Sequence, residues 1–223
     1  MSSPRADPAP TAEYLAASKG PQILVFVAVF PALALMIVAL RLYTRIHIVR
    51  KPSHEDFAIT LATIFALGCS VCSTIQVNNG TGRHKEAVTT VQLIISLKAL
   101  FANIILYNFG ITLTKISIAF QYLRLTMEKQ IRLVCWFLIC LNVAVSFEAL
   151  IAGILQCNPV AKAWDPRIPG KCINTATLNY VNAALSIVQD IALVVLPFFM
   201  LRQLIMPRKE KIILMVVLGL GGV

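Results

Sequence analysis

The sequence predicts an all-α protein that crosses a lipid bilayer several times. Three observations carry that prediction. The 223 residues are 58% hydrophobic and only 13% charged, against about 25% charged in soluble chains. Mean hydropathy is +0.78. The apolar residues come in long blocks, and a helix needs about 20 such residues to cross a hydrocarbon core. A soluble enzyme would need polar surface that this chain lacks. The composition also excludes a disordered chain and a disulfide-stapled secreted scaffold. The net charge of +10 sits in membrane-flanking loops, so a nucleic acid is not an expected partner; the lipid bilayer is.

The first predicted span is 23–40, the second 56–77, the third 91–122, the fourth 133–155 and the fifth 178–201. Residues 212–223 open a sixth. Twelve residues rise only about 18 Å as a helix, short of the ~30 Å core. We therefore expect a fragment of a longer protein, with five complete spans and part of a sixth. Residues 1–20 are polar and rich in Pro, Ala and Ser. They lack the basic start and short apolar run of a cleaved signal and read as a short disordered tail. No internal repeat is visible.

Basic residues set the expected orientation. The odd-numbered loops carry eleven, including Arg41, Arg45, Arg124, Arg132, Arg202 and Lys211; the tail and even-numbered loops carry seven. The bias places the odd loops inside and the N-terminus outside. Asn79-Gly80-Thr81 is a glycosylation acceptor pattern in a loop assigned outside, although Asn79 lies close to the membrane. Cys157 and Cys172 fall in the fourth loop, also outside, where an oxidising compartment permits a disulfide. Cys69 and Cys72 have CxxC spacing, but within a lipid-embedded helix they read as small packing residues. His47, His54 and His84 are scattered over loops on both sides, so no shared metal is expected. No nucleophile–base constellation is apparent, and the chain is not expected to be an enzyme.

Ionisable residues within spans cost a few kcal/mol each and mark function or pairing. There are four: Lys98 and Lys115 in the third span, Glu148 in the fourth and Asp190 in the fifth. Lys115 lies nine residues before Arg124 and Asp190 twelve before Arg202, about 14 and 18 Å from the inner boundary. Their depths differ by less than a lysine side chain reaches, so a Lys115–Asp190 pair is geometrically possible. A Lys98–Glu148 pair is possible at the outer ends of their helices. At 100° per residue Asn108, Thr112 and Lys115 share one stripe of the third helix, and Asn182, Ser186, Gln189 and Asp190 one face of the fifth. The fourth helix shows no such stripe, because Glu148 lies about 120° from Asn142. The expected intramembrane polar site is thus Asn108, Lys115, Asn182 and Asp190. It serves either as a packing ion pair or as a binding site and switch. Pro197 is expected to kink the fifth helix.

Several motifs, in order, carry a resemblance. Arg41-Leu42-Tyr43-Thr44-Arg45 closes the first span, and Glu55-Asp56 opens the second. Gly80-Thr81-Gly82-Arg83-His84 follows in the outer loop, then Thr114-Lys115-Ile116-Ser117 and Tyr122-Leu123-Arg124. Cys157-Asn158-Pro159 leads through Trp164-Asp165 to Gly170-Lys171-Cys172. The run from Asp190 to Pro197, then Leu204-Ile205-Met206-Pro207 and Lys211, completes the series. The chain resembles the fungal integral-membrane family that carries a fungal rhodopsin domain. That family includes receptor-like proteins related to pathogenicity-linked ones and a protein of the satratoxin biosynthetic cluster.

The resemblance implies a seven-transmembrane-helix, rhodopsin-like bundle over 21–223, incomplete at its C-terminus, with the N-terminus outside. It implies a disulfide between Cys157 and Cys172 and makes Lys115 and Asp190 part of a recurrent pattern. It implies no cofactor, because retinal proteins attach their chromophore to a last-helix lysine and Lys115 lies in the third. The third helix ends Gln121-Tyr122-Leu123-Arg124, without the acidic-Arg-Tyr triplet of the largest receptor class, so G-protein coupling is only a fold analogy.

The expected function is a plasma-membrane receptor-like protein. It would sense an extracellular or membrane-dissolved small molecule and report it to a cytoplasmic signalling partner. The alternative is a transport, scaffold or accessory component of a fungal secondary-metabolite pathway.

Overall fold

The computed structural model describes residues 19–49, 54–83, 88–126, 128–165 and 167–203. Five long helices dominate: α1 (Gly20–Tyr43), α2 (His54–Asn78), α3 (Thr90–Leu125), α4 (Lys129–Ile154) and α5 (Thr175–Gln203). Each contains a stretch long and apolar enough to cross a membrane. The tail up to residue 18 and the sixth apolar stretch lie outside the described residues, as do Arg208, Lys209 and Lys211.

Most helix ends lie one to four residues beyond the expected spans, because the helices continue past the apolar run into polar flanks. The first helix runs past Leu40, through Tyr43, into a π-helical segment Thr44–Val49, so Arg41 and Arg45 are helical rather than in a loop. Both arginines meet carboxylates at the start of α2, and those contacts hold the extra turns. The third helix spans 36 residues, about 54 Å, and extends beyond the core at both ends. Its start is set by a capping box. Thr89 Oγ1 accepts from Gln92 N at 3.4 Å and Gln92 Oε1 accepts from Thr89 N at 3.0 Å, so both orphan donors are satisfied.

In lipid the hydrophobic effect does not drive helices together, so close approach needs small residues and polar contacts. α2 supplies both toward α3. Ala58 and Ala62 are buried, and a Cβ added at Gly68 would sit 3.2 Å from Leu106. Ser73 Oγ accepts from Asn103 Nδ2 at 3.3 Å. The partly buried Cys69 and Cys72 are free, and the Cys69 thiol points at Asn103 O, which fits the packing reading. α3, α4 and α5 converge on a core of Ala119, Tyr122, Ile131, Cys135, Leu138, Ile139, Leu193 and Leu196. The outward residues are apolar; Phe30, Ile37, Phe57, Leu133 and Phe137 are mostly exposed, as lipid-facing side chains would be.

The loop between α4 and α5 is not wholly irregular. Cys157–Asn158 and Lys171–Cys172 form a two-residue antiparallel pair. A disulfide joins Cys157 to Cys172. A 3₁₀ turn, Val160–Ala163, lies between them. Trp164 then meets the Phe101 ring of α3 edge-on at 5.4 Å, which draws the loop across the bundle toward α3.

At the same end, the α2–α3 turn carries Gly80 and Gly82 at φ +100° and +92°. That region costs other residues about 1–2 kcal/mol. Gly82 O accepts from Lys19 N at 3.0 Å, and a Cβ at Gly82 would stand 3.1 Å from Gly20 N. This close approach anchors the start of α1. Gly82→Ala should therefore destabilise the protein by about 1–2 kcal/mol, read as a lower melting temperature in detergent, while Gly153→Ala, where a Cβ meets nothing within 4 Å, should not.

Candidate functional site

Two polar constellations are built into the apolar frame. The first is a cavity of about 260 Å³ between the middles of α3, α4 and α5. Asn108 and Lys115 of α3 line it, with Asn142 and Ser146 of α4 and Asn182, Ser186 and Gln189 of α5. Three of the four residues expected at a common site, Asn108, Lys115 and Asn182, therefore share one cavity wall.

Asp190, the fourth, reaches the cavity only through Lys115. Lys115 Nζ stands 2.9 Å from Asp190 Oδ1, and donates to Ser186 Oγ at 2.7 Å and Ser186 O at 3.3 Å. The expected buried pair is asymmetric: the Lys115 side chain is 7% exposed and that of Asp190 53%. The inward stripe of α5 explains this. Gln189, Leu193 and Leu196 are buried, at helical spacings of four and three. Asp190 is one residue, about 100°, around from Gln189 and sits at the edge of that stripe. It crosses back to the ammonium because an unpaired buried cation would be costly.

α4 contributes more than its sequence suggested. Asn142 and Ser146, four residues apart, occupy one face. Asn142 Nδ2 donates to Thr112 O at 3.1 Å, and Ser146 Oγ donates to Asn108 Oδ1 at 3.0 Å. Thr112 Oγ1 lies 2.7 Å from Ser146 Oγ. Glu148 faces outward and the measure of the face is Asn142 with Ser146, not Asn142 with Glu148. Lys98 and Glu148 are both exposed, and among the described residues no ion pair joins them. Their helices turn these side chains away from one another. Among the described residues two buried polar atoms at the cavity have no hydrogen-bond partner, Asn182 Oδ1 and Gln189 Nε2.

The second constellation lies at the opposite end from the disulfide loop. Glu55, at the start of α2, is 1% exposed. Its Oε1 stands 3.0 Å from Arg45 Nη2 of the α1 extension and 2.9 Å from Arg124 Nη1 of α3. Asp56 Oδ1 lies 3.3 Å from Arg41 Nε. Arg41 Nη1 donates to Gln121 Oε1 at 3.3 Å, and Ser117 Oγ donates to Glu55 O at 2.8 Å. Two acids in the first turn of α2 also suit the positive end of its dipole. Sequence reasoning used these arginines for orientation and as motif residues, and these acids only as a motif. The available signal was that Arg45, Glu55 and Arg124 all fall at one membrane boundary, with opposite charges.

Among the described residues no group of His, Cys, Asp or Glu could hold a metal. Asn79 Nδ2, the atom a glycan would occupy, donates to Ile75 O at 2.8 Å and closes the end of α2.

Comparison with known proteins adds identity to this geometry. The fungal rhodopsin domain matches residues 40–223. The chain is similar to an SAT4 family membrane protein of Emericella nidulans, 33% identical over 141 residues, which is 60% of this chain and 36% of that one. It is 28% identical over 207 residues to Fugralins biosynthesis cluster protein 2 of Gibberella zeae, covering 89% of this chain and 51% of that protein. It is 26% identical over 200 residues to Wortmanamides biosynthesis cluster protein C of Talaromyces wortmannii, covering 87% and 55%. The chain thus spans about half the length of most of the curated relatives it matches. No solved structure matches it.

Removing one partner of a buried ion pair costs about 3–5 kcal/mol. Glu55→Gln leaves Arg45 and Arg124 without their shared counter-charge. We expect a loss near the lower of those values, measured as a fall in melting temperature in detergent, while Arg132→Gln, at an exposed position, should change little.

Proposed function

Because the chain belongs to the fungal rhodopsin domain family, we propose that it is a multi-pass membrane component of a fungal secondary-metabolite pathway that holds a small molecule within the bilayer. Two of the relatives described above are named as biosynthesis-cluster proteins, and this supports the pathway role. The central cavity supports the binding role. Its volume of about 260 Å³ lies just under the roughly 300–1,000 Å³ of drug-sized sites, so the molecule is small or only partly enclosed. Binding rather than catalysis fits a site whose lysine, Lys115, is already shared between Ser186 and Asp190.

We read the complete protein as a seven-helix, rhodopsin-like bundle in the plasma membrane. The N-terminus and the disulfide loop would face outside, and the arginine end inside. The excess of basic residues at the arginine end supports this orientation.

One observation favours sensing as a second reading. Lys115, in the cavity wall, and Arg124, in the ionic network, lie nine residues apart on one continuous helix. A ligand that shifts α3 would load the Glu55 contacts directly, and a cytoplasmic signalling partner would read the change there.

Deleting the gene in its host separates the readings. We expect the pathway product to fall while transcripts of the neighbouring biosynthetic genes persist, measured by metabolite profiling and RNA sequencing. Loss of those transcripts would instead favour sensing, and an unchanged metabolite profile would contradict the pathway role.

A further inference from the structure

The electrostatics of the cavity limit what it can hold. Among the described residues Lys115 is its one cation, and an ammonium has three donors. Ser186 Oγ, Ser186 O and Asp190 Oδ1 take them, at 2.7, 3.3 and 2.9 Å. No donor remains to receive an anionic ligand, and the Asp190 charge is cancelled in place. The wall therefore presents no net charge to a guest.

The unmatched groups of the cavity are neutral carboxamides. Gln189 is 4% exposed and its Nε2 has no hydrogen-bond partner among the described residues; Asn182 Oδ1 is likewise buried and unmatched among them. A buried polar group without a partner costs about 1–3 kcal/mol, which a ligand supplying the partner would recover. Asn182 and Gln189 are seven residues apart on α5, about 10 Å along the axis. Ser186, already held by Lys115, lies between them on the same helix, and Ile111, Val145, Ala149 and Ala183 are among the apolar residues of the wall. The two unmatched polar anchors thus stand at separate levels of one helix.

Resting on the small-molecule reading of this cavity, we propose that its ligand is an uncharged molecule with a hydrogen-bonding group at each end, one for Gln189 and one for Asn182. Acids and amines of the same shape are excluded, because either would enter a low-dielectric site that has no free counter-charge among the described residues.

The test uses the full chain reconstituted in nanodiscs and three matched probes: 4-(hydroxymethyl)benzamide, 4-(hydroxymethyl)benzoate and 4-(aminomethyl)benzyl alcohol. Ligand-observed saturation-transfer NMR gives the affinities. The amide should bind, with the carboxylate and the ammonium at least about tenfold weaker, the factor that loss of one hydrogen bond supplies. Gln189→Met, which keeps side-chain volume while removing the amide, should weaken the amide probe about tenfold without lowering the melting temperature. Asn182→Leu should act in the same direction.

Preferred binding of the carboxylate, lost in Lys115→Met, would overturn the proposal and leave the small-molecule reading in place. Equal affinities for the three probes, or an amide affinity unchanged in both Gln189→Met and Asn182→Leu, would also overturn it. Failure of all three probes to bind would overturn both the ligand class and the binding role of the cavity. The pathway role stands or falls separately, on the metabolite profile of the deletion strain.

Discussion

Glu55 is the contact on which the arrangement of the first three helices depends. α1 is apolar around its whole circumference, and a lipid tail suits such a surface as well as another helix does. Nothing in that surface selects one neighbour or one rotation. The selection comes from charge. Arg45 reaches Glu55 and Arg41 reaches Asp56, while Arg124 of α3 meets the same Glu55 oxygen. One carboxylate in the first turn of α2 thereby fixes the depth and rotation of the helices on either side. A buried carboxylate is strongly destabilised when a guanidinium partner is lost, which ties the three helices together at this end of the bundle.

The same logic, applied once, builds the centre. α5 meets α3 and α4 through the apolar core near the arginine end and through Lys115 at mid-depth. Above that pair the three helices separate around asparagines and serines rather than closing on leucines. The cavity follows from that composition. Its polar groups partly satisfy one another across α3 and α4, whereas α5 leaves Asn182 Oδ1 and Gln189 Nε2 unmatched. The disulfide loop is drawn toward α3 by Trp164 and Phe101, at the end of the bundle where α5 begins.

How much of this was legible in the sequence depended on periodicity. The five spans could be read because twenty apolar residues in a row admit few alternatives. Lys115 and Asp190 stood out because charge in a span is costly, and helical rise alone put them at matching depths. Asn142 and Ser146 were missed because the search on α4 started from Glu148, which faces away; spacing by four residues from Asn142 would have found them. The Glu55 network was missed for a different reason. Its members are separated by up to 79 residues of chain, from Arg45 to Arg124, and arginines at a membrane boundary already have a sufficient explanation in orientation. Only packing shows that they share one carboxylate. The asymmetric exposure of Lys115 and Asp190 was equally hidden, since a rotation of α5 by one residue position decides which of Gln189 and Asp190 faces inward.

The central claim is that Lys115 and Asp190 neutralise each other inside the protein, which leaves the cavity uncharged. A double-mutant cycle on melting stability tests it most directly, with Lys115→Met, Asp190→Asn and both together. The account predicts strong coupling: each single change strands a charge, and the double variant is more stable than the sum of the two losses allows. Strictly additive losses would contradict it, because they would mean that the two side chains do not answer each other in the membrane.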